Sequence, residues 1–216
     1  NTSRNACGET DPRLIAQHGL EVAERTSLPL LFGMRCPEDW SLEEQLFLLR
    51  SGDVVTYCYR RRPHCIVDFE KRSVLPAVRE ARKRGVLFDV GHGMGSFDFE
   101  VAEIAIADGF LPDTISTDLQ RLHIDTKTIH SLPLVMGKLQ AVGMSEMDVF
   151  KAVTSRPAKI LRRETELGTL IPGACADLVA LRSGITSSTF TDVEGMKHQG
   201  PAWEVALVLR GGQNVV

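Results

Sequence analysis

Four short segments along the chain are rich in apolar and β-branched residues and lack strict alternation with polar ones. They lie at residues 28–34, 53–59, 85–90 and 114–118. Continuous apolar strands are typical of a parallel sheet that is covered on both faces, because neither face of such a strand meets water. The pattern therefore predicts four buried strands.

Amphipathic segments separate these strands, and capping residues predict where helices begin. The predicted first residues or caps are Asp11, Ser41, Ser73, Ser96, Ser131 and Ser145. Ser41 is followed three residues later by Glu44, as in a capping box. Gly85 and Gly109 are placed to end two of the helices. The alternation of strand and helix predicts a βαβ series and a parallel α/β architecture.

Beyond residue 118 the pattern changes to helices and then to β-structure. We expect a break at Arg156 and Pro157, followed by a third short helix through Ile160. From Leu167 onward, glycines and prolines punctuate short apolar runs, of which 178–181 and 203–209 are the best strand candidates.

Composition narrows the class of protein. The chain has 216 residues, 43% of them apolar, and a net charge of −3, so we expect a globular protein that binds neither nucleic acid nor membrane. Five cysteines with no C-x-x-C spacing indicate reduced thiols and a cytoplasmic location. The first residues, beginning at Asn1, lack the apolar core of a signal peptide.

The predicted strand ends carry the candidate chemistry, because ligands of parallel α/β folds bind at that edge. Asp118 ends the fourth strand and could ligate a metal, act as a general base, or simply cap a loop. His92 stands between Gly91 and Gly93, where a ligand could approach the backbone closely, although a structural histidine is the alternative.

Other motifs favour structural roles. The segment around His92 does not match G-x-G-x-x-G, which argues against a dinucleotide site. The basic run 60–62 could hold an anion but is more typical of a solvated loop. Cys36, Cys58, Cys65 and His64 could gather around a metal, but Cys58 should point away from its neighbour Tyr57.

Several segments together resemble one known family, the dihydroorotase-like deacetylase branch of the amidohydrolase superfamily. The barrel motifs that carry the resemblance are 88–93 (FDVGHG), 95–97 (GSF) and 112–119 (PDTISTDL). The motifs of the return to a small β-domain are 167–170 (LGTL), Gly173 and 176–178 (ADL). The resemblance covers essentially the whole chain in order.

The resemblance implies a (β/α)8 TIM-type barrel of which this chain holds strands five to eight, at residues 1–164. Residues 165–216 would form part of a composite β-sandwich domain. It also implies zinc or another divalent metal and hydrolysis of an amide or cyclic amide C–N bond in a small-molecule substrate. Asp118 would be both metal ligand and catalytic base, and His92 and Gly93 would lie in the substrate pocket.

The chain also departs from that family. Gly33 and Tyr57 stand where the family has metal-binding histidines, and the His-x-His of the first strand and the lysine of the fourth have no counterpart. One carboxylate cannot hold a catalytic zinc, which needs about three protein ligands. Activity is therefore open, and a catalytically silent ligand-binding or partner-binding module is the alternative. A half barrel with open edges also predicts a homo-oligomer or a need for the N-terminal half.

Overall fold

The computed structural model describes residue 2 and residues 4–34, 37–124 and 130–215 of the chain, and it alternates helices with short strands. Ten elements precede residue 110: α1 (Arg4–Cys7), α2 (Pro12–Thr26), β1 (Leu31–Gly33), α3 (Leu42–Leu48), β2 (Val54–Thr56), β3 (Val67–Asp68), β4 (Ser73–Val74), α4 (Pro76–Lys83), β5 (Leu87–Phe88) and α5 (Phe99–Ala107). After them come a 3-10 turn (Arg121–His123), α6 (Leu132–Ala141), α7 (Glu146–Val153), α8 (Ser155–Ile160), β6 (Leu178–Thr191), β7 (Lys197–Arg210) and β8 (Gln213–Asn214).

A parallel sheet forms the centre of the first part of the chain. Its strand order is β1-β2-β5, with Leu31 opposite Val54 and Val54 opposite Leu87. A parallel bridge between Asp89 and Thr114 adds the fourth predicted strand segment beside β5. The α/β architecture and the order of its strands are therefore confirmed.

Burial in this sheet differs between the central strand β2 and the edge strand β1. Phe32, Val55 and Phe88 point to one face and are at most 4% exposed, packed into the main apolar core. Leu31 points to the other face, because side chains alternate along a strand, and it is 62% exposed. Val54, the neighbour of Leu31 on that face, is only 6% exposed, so β2 is buried on both faces, as its continuous apolar run predicts.

Most predicted helix caps are correct. Ser41 and Glu44 form a capping box, and the side chains of Asp11, Ser131 and Ser145 each accept a backbone N–H in the first turn of their helices. These caps rest on contacts within three residues, so the local sequence specifies them.

Three predicted helix boundaries are wrong. Ser73 pairs with Asp68 in the β3–β4 hairpin, and α4 starts only at Pro76, whose ring presets the helical φ. Ser96 is buried ahead of α5, and Asp98 caps that helix by accepting from the Val101 N–H.

The third error concerns the expected break at Arg156 and Pro157. These residues lie inside α8, and the chain breaks earlier, at Thr154. Pro157 is tolerated because it falls in the first turn of the helix, where its missing N–H would have no intrahelical partner.

A long antiparallel hairpin, β6–β7, closes the described structure and packs on α6. Trp203 Nε1 donates to Gln140 Oε1 at 2.6 Å, and a Cβ on Gly137 would lie 2.5 Å from the Pro201 carbonyl oxygen. The glycine therefore permits a close approach of helix and hairpin. Both predicted strands, 178–181 and 203–209, lie within this hairpin, which is longer than expected.

No helix in the part of the chain that the structure describes is long and apolar enough to cross a membrane. Cys58 is buried in the apolar core, and Cys36 lies outside the described residues.

Candidate functional site

The ends of the predicted strands do meet at one edge of the parallel sheet, as the sequence predicted. There the Tyr57 hydroxyl donates to Asp118 Oδ2 at 3.3 Å, although the two residues are 61 positions apart. The Gln120 side-chain amide lies 3.3 Å from both oxygens of the same carboxylate. Asp118 is thus a half-buried acceptor with two polar neighbours, and Gln120, not Asp118, precedes the 3-10 turn.

Two of these strand-end residues have left-handed backbone conformations. Tyr57 has φ of 69° and Asp118 has φ of 46°. A positive φ is tolerated by aspartate but is a genuine outlier for a bulky residue such as tyrosine. Strained residues cluster at ligand-binding and catalytic positions, so these two make this edge the candidate functional site.

The ring of Tyr57 lies between two glycines. A Cβ on Gly33 would approach Tyr57 Cε2 to 3.0 Å, and a Cβ on Gly91 would approach Tyr57 Cδ1 to 2.8 Å. Gly33 and Tyr57 are therefore linked, because the ring occupies the space beside a position that carries no side chain.

Gly93 is the glycine nearest to the candidate carboxylate. Its N–H donates to the Thr117 carbonyl at 3.0 Å, and a Cβ there would lie 3.0 Å from Asp118 Oδ2. Its φ of 49° is also one that glycine adopts at no cost. The structure thus brings Gly93 and Asp118 together.

The side chain of His92 is buried, at 4% exposure, and the backbone N–H of His92 donates to the Ser116 carbonyl. Its ring stacks on Phe97 with centroids 5.3 Å apart. Burial, and after it the nearby charge of Lys138, lower the pKa of His92 to about 3. The imidazole is therefore neutral at ordinary pH.

Lys138 on α6 is a site residue that the sequence prediction missed. Its ammonium lies 2.9 Å from His92 Nε2, and its side chain is buried. Burial lowers the pKa of Lys138 to about 8. A lysine within the apolar run of α6 was the available signal, because lysine is almost never fully buried unless it is paired.

Asp89 forms a second polar centre that the sequence prediction missed. Its buried carboxylate accepts hydrogen bonds from the hydroxyls of Thr56, Thr114 and Ser116, at 2.6–2.7 Å. These donors come from the strand segments on both sides of Asp89. The cluster therefore fastens the strand ends that carry Tyr57, His92 and Asp118.

In the basic run 60–62, Arg61 has a structural role, because it forms ion pairs within the chain. The Arg61 guanidinium pairs with Asp98 and with Glu100, each at 2.5 Å. Asp98 is also the cap of α5. The ion pairs therefore bind this segment to the start of a helix and leave Arg61 little capacity for an external anion.

The donor side chains that the structure describes do not by themselves fit a divalent metal. Among the described residues no group of three or more histidine, cysteine, aspartate or glutamate side chains could hold a metal ion. Tyr57 occupies the space beside Gly33, and of the two carboxylates at the strand ends, that of Asp89 already accepts three hydroxyl hydrogen bonds. A catalytic zinc needs about three protein ligands, so at least two would have to come from outside the described residues.

The fold and the strand-end site define an α/β protein with its polar centre at the carboxyl edge of a parallel sheet. Residues 53–215 match the model of the Amidohydrolase family. The chain belongs to that family.

Curated relatives agree with this assignment. A deacetylase of Enterococcus faecalis is 34% identical over 155 residues, which cover 72% of this chain and 42% of the relative. A deacetylase of Agrobacterium fabrum is 34% identical over 148 residues, covering 68% of this chain and 36% of that protein. The chain thus spans about two fifths of the length of these relatives.

Solved structures show the same likeness. The crystal structure of an adenine deaminase superposes with a TM-score of 0.84 at 29% identity, covering 94% of this chain and 54% of that one. The crystal structure of a dihydroorotase superposes with a TM-score of 0.77 at 28% identity, covering 91% of this chain and 53% of that one. The resemblance stated from the sequence motifs is therefore confirmed.

Proposed function

We propose that this chain is the C-terminal half of an amidohydrolase-type hydrolase that acts on an amide or cyclic amide C–N bond of a small molecule. The observation that carries the proposal is the Asp118 carboxylate at the carboxyl edge of the parallel sheet, between Tyr57 and Gly93. The relatives named deacetylase and the structures named adenine deaminase and dihydroorotase support this reaction class.

In this proposal Asp118 is the proton acceptor. Its carboxylate takes a proton from the attacking water and passes it to the leaving nitrogen, while the Tyr57 hydroxyl and the Gln120 amide orient the carboxylate. A general base must lie within hydrogen-bond reach of the proton it takes, and the half-buried position of Asp118 leaves room for that approach. His92 and Gly93 line the substrate pocket.

The same proposal assigns the architecture. Residues 1–164 would hold strands five to eight of a (β/α)8 barrel, and residues 165–216 part of a composite β-sandwich. Two facts support this: the parallel strands follow one another in chain order, and the chain covers about half of the adenine deaminase chain. A cytoplasmic location belongs to the same proposal, supported by the free thiols of Cys58, Cys65 and Cys175.

The outer edge of β1 supports an assembly. Within the described residues no strand pairs with the outer edge of β1, and Leu31 on that strand is 62% exposed. Leu28 and Val179 are exposed to a similar degree. Such an edge pairs readily with another chain, so we propose that the rest of the barrel, or a second copy of this chain, covers it. Light scattering tests this, since a stable, monodisperse monomer of the chain alone would contradict it.

A catalytically silent, ligand-binding homologue is the second candidate. Gly33 and Tyr57 favour the silent homologue. Neither residue supplies a metal ligand, and the tyrosine ring fills the space beside the glycine. Such a protein would bind an amide-like molecule at the His92 and Asp118 edge without cleaving it.

Metal analysis and hydrolysis assays separate these candidates when they are made on the chain assembled with the rest of the barrel, because the described residues alone do not supply three metal ligands. N-acetylglycine and dihydrouracil serve as amide and cyclic amide probes, with and without added zinc. Hydrolysis that is lost in Asp118→Asn and kept in Asp177→Asn, an exposed carboxylate of the hairpin base, supports the hydrolase. Probe binding without hydrolysis under both conditions supports the silent homologue and overturns the first proposal.

A further inference from the structure

The contact between Lys138 and His92 determines how the histidine can be protonated. The Lys138 ammonium lies 2.9 Å from His92 Nε2 and donates to the Thr191 carbonyl at 2.7 Å. An ammonium has three donors and no acceptor, so the nitrogen facing it must offer a lone pair. The proton of neutral His92 then has to sit on Nδ1.

The surroundings hold the ring in this orientation. Phe97 stacks on one face of the His92 ring at 5.3 Å, and the Lys138 ammonium lies 5.3 Å from the centroid of the same phenyl ring. A second ring, Phe99, lies 5.7 Å from the ammonium. These contacts fix both the donor and the ring that faces it, so a flip of the imidazole would break the Lys138 hydrogen bond.

His92 Nδ1 is buried and has no partner within hydrogen-bond distance and angle in the described part of the chain. A backbone contact with Gly93 raises the pKa of His92, against the larger lowering effect of burial. Leaving a buried donor without an acceptor costs about 1–3 kcal/mol. Buried polar groups of native proteins are nearly always satisfied, so such a group calls for an explanation. A ligand that supplies the acceptor is one.

The neighbouring side chains indicate what kind of ligand this is. The His130 ring lies 5.9 Å from that of His92, and its Nδ1 is also buried without a partner among the described residues. His123 lies 4.9 Å from His130, ring to ring, and its Nδ1 accepts the Gln120 N–H. A His123 ring whose Nδ1 accepts carries its proton on Nε2, so the cluster offers donors at His92 Nδ1 and His123 Nε2 and suits an oxygen acceptor.

We propose that Lys138 is a positioning residue that holds His92 as the Nδ1–H tautomer, and that this N–H binds a carbonyl or carboxylate oxygen of the ligand. This proposal rests on the proposed function in one respect: the small molecule must bind at the carboxyl edge of the sheet, beside His92. It does not require hydrolysis.

Nitrogen NMR of the histidine side chains tests the tautomer directly. The ¹⁵N-labelled full chain is measured near pH 6.5, between the pKa values of about 3 for His92 and about 8 for Lys138, and His92→Gln assigns the signal. We expect a protonated Nδ1 and an unprotonated Nε2. A protonated Nε2 in the wild-type chain overturns the proposal without any variant.

The Lys138→Met variant tests the role of the ammonium. We expect the His92 signals to move toward a mixture of both tautomers, while Lys151→Met, an exposed lysine on α7, leaves them unchanged. Signals of His92 that are the same in all three proteins contradict a positioning role for Lys138. If Lys138→Met does not fold, the wild-type measurement still decides.

Small probes test the ligand side. Acetate and acetamide both carry the expected oxygen and differ in charge, whereas methylammonium offers none. We expect one or both oxygen probes to shift the His92 Nδ1 signal, about tenfold more weakly in Lys138→Met, with no shift by methylammonium. No response to acetate or acetamide overturns the subsite. A response without hydrolysis of N-acetylglycine or dihydrouracil supports the subsite and counts against the hydrolase alone.

Discussion

Tyr57 and Gly33 form a complementary pair at the carboxyl edge of the parallel sheet. A Cβ on Gly33 would lie 3.0 Å from Tyr57 Cε2, closer than nearly all real Cβ contacts. The missing side chain at one position and the large ring at the other are thus one structural feature. Any attempt to rebuild a metal site here has to change both residues.

The Gly33→His variant should destabilise the chain by about 1–3 kcal/mol, because the new side chain overpacks the Tyr57 ring. The double variant Gly33→His, Tyr57→His should recover part of that loss, since the smaller ring leaves space. Urea unfolding measures both. Gly95→His is the control, because a Cβ at that position meets nothing within 4 Å. A single variant as stable as the wild type would contradict the pairing.

Replacing Gly93 by alanine should both strain the backbone and disturb Asp118. The φ of 49° costs an alanine about 1–2 kcal/mol, and its Cβ would stand 3.0 Å from Asp118 Oδ2. Unfolding and probe-binding measurements should therefore both change. Gly95→Ala should stay within about 0.5 kcal/mol of the wild type. Unchanged probe binding in Gly93→Ala would contradict the proposal that Gly93 lines the substrate pocket.

The Asp89→Ala variant should destabilise the chain by about 3 kcal/mol or more. It leaves the hydroxyls of Thr56, Thr114 and Ser116 without their shared charged acceptor, and hydrogen bonds to a charged group contribute about 1.5–3 kcal/mol each. Thermal unfolding checks this. Asp68→Ala, whose carboxylate is partly exposed beside Lys71, is the matched control and should have a small effect. Equal effects of the two variants would be the contrary result.

Stability should fall as the pH drops below about 6.5, in part because of His92. The folded pKa of about 3 lies below the ordinary value of 6.5, so between these values the unfolded chain binds more protons than the native one. Acid therefore favours unfolding across that window. His92→Gln should flatten this part of the profile, and the exposed His18→Gln should not. Urea midpoints measured across the window provide the check, and identical slopes in both variants would refute it.

Local sequence signals located the elements well. The capping box of Ser41 and Glu44 and the cap at Ser131 rest on groups three residues apart, which a sequence displays directly. Ser73 misled the prediction because its segment pairs across a hairpin with Asp68, and a cap signal carries no information about such a partner. The strand ends were found because parallel strands place their carboxyl ends on one edge.

The sequence alone determined the α/β order of the chain, its family and the candidates Asp118, His92 and Gly93. The tertiary structure decided how these residues are held. Three contacts join residues that are far apart in the sequence. The separation is 46 positions for Lys138 and His92, 33 positions for Thr56 and Asp89, and 61 positions for Tyr57 and Asp118. Periodicity and caps report on neighbours within a few residues, whereas burial, tautomer and carboxylate contacts depend on which distant segments the sheet brings together.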